Sequence, residues 1–243
     1  MVLKKAKKIL ILKTGNTIID LLDRGRDFEQ FFITASGLDA SLFTCQSLHL
    51  HDELVDLKNI AGIIITGSPA YVTDQASWNF IGAEYIRKAH NEGIPILGVC
   101  YGHQLVAWAF GGEVAFNPKG REIGTVIVSK TEAAIDDALF YSLPETFKVQ
   151  VSHQQSVTRL PKDAVRLAYN NFEINHAFRL GAKTWGVQFH PEFSAETIRA
   201  YIESRQDCLT NEGLNVDSLL DSAEVTNISS GLVRKFCSIA LIN

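Results

Sequence analysis

The chain has 243 residues, 46% of them hydrophobic, enough to bury the core of one α/β domain. Its formal net charge is −4, and basic residues gather only at Lys4, Lys5, Lys7 and Lys8, which read as a solvated tail; no nucleic-acid partner is expected. No apolar run approaches the roughly 20 residues of a membrane helix, Ile9 to Leu12 is too short for a signal-peptide core, and four scattered cysteines form neither a disulfide framework nor a zinc-ligand spacing, which suits a reducing cytoplasm.

Through the first half, short apolar strands alternate with helical patterns, as in a parallel sheet with crossover helices. Lys8 to Leu12 reads as the first strand, Phe28 to Ser36 as helix, Ala40 to Gln46 as the second strand and Ala61 to Ile65 as the third, ending in Thr66-Gly67-Ser68-Pro69. Trp78 to His90 is helical. Ile94 to Leu97 is a buried strand that runs into Gly98-Val99-Cys100-Tyr101-Gly102-His103-Gln104, and the apolar helix after it stops at Gly111-Gly112. The loops after Leu12, Ile65 and Leu97 should share one rim, because such sheets place ligands at the carboxyl ends of their strands.

The second half reads as closely spaced strands at Gly124 to Ser129, Lys148 to Ser152, Ala164 to Ala168, His176 to Leu180 and Thr184 to Phe189, implying a partly antiparallel region. Ala195 to Ser204 is a helix. Asp207 to Ser230 is polar and weakly patterned, expected to hold a loop and one short helix, and Leu232 to Leu241 closes as a final helix.

Glycines two residues before and two after Cys100 suit a sharp strand-to-helix elbow, where side chains would collide as the backbone folds back. A thiol at a helix N-terminus sees unpaired N–H groups that favour thiolate, the attacking form. Taken alone, such a cysteine is more often a small buried hydrophobe. The second half supplies a candidate base and its orienter in Phe189-His190-Pro191-Glu192-Phe193: residues two apart on an extended strand share a face, so imidazole and carboxylate can meet. His103, His153 and His176 compete for the base role, and His49 and His51 are spaced too weakly to call a metal site. An oxyanion would be held by the amide of Tyr101 and by that of Gly67 or Ser68.

Taken together, these three motifs resemble class I glutamine amidotransferases, most closely the glutaminase domain of GMP synthase and its free-standing relatives, over about Lys8 to Tyr201. The resemblance implies a flavodoxin-like, doubly wound, mostly parallel sheet with an additional antiparallel strand region. It implies one domain over residues 1–243, with a motif-bearing core at 8–201 and a C-terminal helical extension at 202–243. The implied triad is Cys100, His190 and Glu192, with the amides of Tyr101, Gly67 and Ser68 at the oxyanion, hydrolysing the side-chain amide of glutamine through a cysteinyl thioester with no metal or organic cofactor. Family patterns often carry two glycines where this chain has Gly67-Ser68. Ser152 to Val157 looks like the family's substrate-contacting loop, or else is a simple turn, which makes Ser152, His153 and Gln104 substrate-binding candidates. GMP synthase adds an ATP-pyrophosphatase domain with its own phosphate loop, and no such motif stands in these residues. Three functions therefore stay open: a glutamine amidase feeding ammonia to a partner synthase, a γ-glutamyl hydrolase or peptidase, and a non-catalytic regulatory or binding protein that keeps the fold.

Overall fold

The computed structural model describes residues 7–242, so Lys4 and Lys5 of the expected tail lie outside the described residues. In chain order the first half holds β1 (Lys8–Lys13), α1 (Ile19–Leu22), α2 (Phe28–Ser36), β2 (Phe43–Ser47), β3 (Ile60–Ile65), α3 (Ser77–Asn91), β4 (Ile96–Val99) and α4 (Tyr101–Ala109). There follow β5 (Glu113–Phe116), β6 (Glu122–Lys130), β7 (Thr146–His153), β8 (Gln155–Arg159), β9 (Val165–Tyr169), β10 (Ala177–Leu180), β11 (Thr184–Val187), α5 (Ala195–Glu203), α6 (Gln206–Asn211), α7 (Val216–Asp221) and α8 (Asn227–Leu241).

A nine-stranded sheet runs β2-β1-β3-β4-β11-β10-β9-β6-β7. From β2 to β11 every neighbouring pair is parallel; from β11 to β7 every pair is antiparallel. The expected mostly parallel, flavodoxin-like sheet with an antiparallel region is therefore present. A separate ribbon of β5 and β8 lies outside it.

The strands at the sheet's centre are apolar on both faces because both faces are covered. Ile9 and Ile11 of β1 enter a cluster with Phe32 of α2 and Phe236 of α8, while Leu10 and Leu12 enter the opposite cluster with Ile86 of α3 and Leu105 of α4. A third cluster, with Phe28, Phe193, Ile198, Tyr201 and Leu209, packs α2 against α5 and α6.

Several boundaries differ from the sequence reading. Ala40 to Leu42 form a 3-10 turn rather than strand, because the Asp39 side chain accepts the Ser41 N–H at 2.8 Å and caps it. The polar stretch after Asp207 holds more than one short helix: Gly213, at φ 80°, ends α6, and Asn215 accepts from Ser218 N to start α7. The last helix begins at Asn227, not Leu232, and lays Leu232, Val233, Phe236, Cys237 and Ala240 into the main core. It approaches so closely that a Cβ on Gly62 would stand 2.6 Å from that of Ala240. Ser152 to Val157 is mostly strand, β7 passing to β8 through Gln154.

Candidate active site

The loops that follow β1, β3, β4 and β11 meet at one rim, because these four strands are neighbours and parallel. Cys100 follows β4 and caps α4 with φ 52° and ψ −101°, a conformation that L-residues rarely adopt. Its N–H donates to Val187 O at 2.9 Å and the Gly102 N–H to Thr66 O at 3.1 Å, which pins the elbow to the strands on either side. A Cβ at Gly98 would lie 2.4 Å from Gly102 O, and one at Gly102 would lie 2.4 Å from Ile65 O. Only glycines let the helix fold back this tightly. The Tyr101 side chain turns away, its hydroxyl donating to Asn79 Oδ1 at 2.5 Å, and among the described residues the amides of Tyr101, Gly67 and Ser68 have no acceptor.

Thr14 and Ser68 hold the facing loop: Thr14 Oγ1 donates to Gly67 O at 3.0 Å and Ser68 Oγ to Thr14 O at 2.6 Å. Ser68, where family patterns often have glycine, thus braces the turn with its hydroxyl. Gly67 is confined, since a Cβ there would stand 2.9 Å from His190 Cε1.

His190 and Glu192 do meet, though not as neighbours on one face of a strand. β11 ends at Val187; His190 then makes an isolated bridge to Gln150, its N–H donating to Gln150 O at 2.8 Å, and the chain turns at Pro191. The turn brings Glu192 Oε1 to 2.7 Å from Nδ1, so Nδ1–H donates to the carboxylate. The Phe193 ring stacks on the imidazole with centroids 4.0 Å apart and fixes its plane. Burial disfavours the imidazolium, but the Glu192 carboxylate, hydrogen-bonded to the ring, and the Cys100 sulfur lift His190 to about 10.

Two cavities flank the thiol, which is only 7% exposed. The larger, about 190 Å³, is lined by Tyr101, Gln104, Arg121 and the run from Ser152 to Gln155. The smaller, about 90 Å³, is lined by Thr17, Phe28, His190 and Tyr201. Cys100, Ser68, Pro69, Ser152 and Arg205 border both. Every residue expected at the site except Gly67 and Glu192 lines one of them; Glu192 is bonded to His190, and Gly67 leaves no room for a Cβ beside its ring.

Gln104 and His153 line the larger cavity with their side chains already engaged. Gln104 Nε2 donates to Gln155 O at 2.8 Å and to Gln188 Oε1 at 3.0 Å. His153 faces Glu122 Oε2 at 2.9 Å through Nε2 and Gln155 O at 3.0 Å through Nδ1. His176 stands 3.2 Å from the same carboxylate, whose pKa stays well below the usual range because the two imidazole contacts outweigh burial. His103 packs on Phe178 in the core, and burial holds it down to about 3. None of these three lines the smaller cavity beside Cys100. Among the described residues no group of His, Cys, Asp and Glu is arranged to hold a metal ion, and no helix is long and apolar enough to cross a membrane.

The sequence reading missed Arg121 and Arg205. No motif announces them; Arg205 sits in the turn between α5 and α6, beyond the last quoted motif, and reaches the rim only because α5 packs there.

The class I glutamine amidotransferase family model matches residues 32–206. A glutamine-hydrolysing GMP synthase from Borrelia garinii subsp. bavariensis is 31% identical over 233 residues, covering 90% of this chain and 42% of that protein. One from Staphylococcus saprophyticus is 30% identical over 204 residues, covering 79% of this chain and 37% of that protein. The chain thus spans about two fifths of the length of these curated relatives. Among solved structures, a glutamine amidotransferase from Thermotoga maritima superposes with a TM-score of 0.76 at 22% identity, covering 97% of this chain and 99% of that one. A glutamine amidotransferase from Methylobacillus flagellatus gives 0.73 at 20% identity, covering 98% of this chain and 93% of that one.

Proposed function

The chain belongs to the class I glutamine amidotransferases, and from that premise we propose that it hydrolyses the side-chain amide of glutamine through a thioester on Cys100 and supplies the ammonia to a synthase partner. The observation that carries this reading is a thiol on a strained elbow beside an imidazole held by a carboxylate at 2.7 Å. Cys100 attacks the amide carbon. The developing oxyanion accepts from the amide of Tyr101 and from that of Gly67 or Ser68, donors already oriented and otherwise without acceptors. His190, kept protonated by Glu192, gives its proton to the departing nitrogen as the C–N bond breaks. Water then attacks the thioester with His190 taking its proton, and glutamate leaves as the sulfur is expelled as thiolate beside the again protonated His190, the state from which attack began.

The reading takes residues 1–243 as one domain, and the core that α8 shares with the motif-bearing part at 8–201 supports it. The partner is argued from the relatives, which are named as GMP synthases and of which this chain spans about two fifths. Glutamate release from glutamine by purified protein tests the chemistry: Cys100→Ala should fall by at least about a thousandfold, and retained turnover would sink the assignment.

A second reading, hydrolysis of γ-glutamyl amides with larger leaving groups, is favoured by the cavity on the His190 side. At about 90 Å³ it exceeds several-fold the roughly 10–15 Å³ that one water-sized molecule needs. Ammonia alone would leave most of it empty.

A further inference from the structure

In the proposed reaction the leaving nitrogen must receive its proton from His190, so the leaving group lies in the cavity that His190 lines. That is the smaller one. The acyl part then occupies the larger cavity, beside the Tyr101 amide and the strand edge from Ser152 to Gln155.

The two cavities differ in their charges. Arg121 lines only the larger, and its guanidinium is already clasped by Glu212, at 2.8 Å through Nε and 2.9 Å through Nη2. Arg205 borders both, and among the described residues it is, apart from His190, the only basic side chain on the smaller one, which no described carboxylate lines. Among the described residues no carboxylate lies within ion-pair distance of Arg205. Its guanidinium carbon stands 4.6 Å over the Tyr201 ring, and Nη1 makes only long contacts, 3.3 Å to Tyr201 O and 3.4 Å to Ser204 Oγ. Tyr201 is itself fixed, its hydroxyl 2.8 Å from Thr17 Oγ1. A planar cation is thus laid against an aromatic wall with its fork of donors largely unspent. That arrangement suits a carboxylate, which accepts two parallel N–H bonds.

We infer that Arg205 makes the His190-side cavity a leaving-group subsite that selects γ-glutamyl amides whose departing amine carries a carboxylate, as in a γ-glutamyl amino acid. The inference rests on the reading that Cys100 and His190 cleave γ-glutamyl amides. The γ-carbonyl to nitrogen bond breaks as the thioester forms, the amino acid leaves with the proton from His190, and water completes the hydrolysis to glutamate. No further reactant is required.

The test is steady-state glutamate release by the full chain from glutamine, γ-glutamyl-glycine, γ-glutamyl-glycinamide and γ-glutamyl-ethylamide. The kcat/KM for the glycine compound should exceed that for its uncharged glycinamide counterpart by about tenfold or more. In Arg205→Met the ratio should fall to about one, and in Arg205→Lys it should stay above one because the charge persists. A wild-type ratio of one, or a ratio that survives Arg205→Met, overturns the inference. So does an equal loss on all substrates in Arg205→Met, which would put the arginine on the glutamyl α-carboxylate, and so does hydrolysis of glutamine alone. Failure of the underlying reading looks different: no glutamate from any of the four compounds and no labelling of Cys100 by a glutamine-analogue electrophile.

Discussion

At the scale of single residues, Cys100 holds a backbone conformation that costs about 1–3 kcal/mol for a residue with a Cβ and little for glycine. Cys100→Gly should therefore unfold at a higher denaturant midpoint than Cys100→Ala, with an unfolding free energy about 1 kcal/mol larger; coincident midpoints would remove strain from the description of the elbow. His103 gives a pH dependence of definite sign. Burial lowers its folded-state pKa to about 3, so between that value and its unfolded value of roughly 6.5 only the unfolded chain takes up the proton. Stability should fall as pH drops through this window, by up to about 1.4 kcal/mol per unit from this group, and His103→Gln should flatten the slope of a urea series by close to one proton. The elbow at Cys100 and the pairing of His190 with Glu192 were legible in the sequence because each rests on a spacing of two residues, glycines about the thiol and carboxylate after imidazole. Arg205 was not, since its place at the rim depends on how α5 crosses the sheet, and no local pattern encodes a crossing.

Among the elements, the elbow joining β4 to α4 has the least room for change. A methyl group on Gly102 would need β3 and α4 to separate, because its Cβ would meet Ile65 O at 2.4 Å. Gly102→Ala should destabilise by about 3 kcal/mol and displace the Tyr101 amide, so that residual glutamine turnover drops along with the unfolding midpoint; wild-type behaviour in both measurements would contradict the close approach. The apolar runs of β1, β3 and β4 announced themselves because strands covered on both faces must be continuously hydrophobic. Ends decided by a single side-chain cap, such as the turn at Ala40 to Leu42, were harder to read. So was the β5 and β8 ribbon, whose pairing of Val114 with Val157 joins segments far apart in sequence. The start of α8 is hidden for a related reason: Ser229 and Ser230 look like loop residues, yet both hydroxyls fold back on carbonyls of the preceding turn, at 2.9 Å each.

Across the whole molecule, the parallel and antiparallel halves of the sheet meet at β11, and the site needs both. The elbow belongs to the first half, whereas Gln150 and Ser152, which hold His190 and wall the thiol, belong to β7 at the far edge of the second. Amides of β3, β4 and β11, covered on both faces, should exchange with solvent only through global unfolding, and those of the β5 and β8 ribbon much sooner; equal protection in a hydrogen-exchange series would count against this hierarchy. The strand alternation of the first half made the rim foreseeable, but the fold of the second half back onto that rim is long-range and left no periodic trace. The partition at Cys100, with a chamber on either side, also dictates traffic. In the proposed reaction, water would reach the acylated sulfur from the His190 side only after that chamber empties, so the amine would depart before glutamate does. The cycle is then a strict double displacement, and a free amine that returns to the vacated chamber competes with water for the same bond.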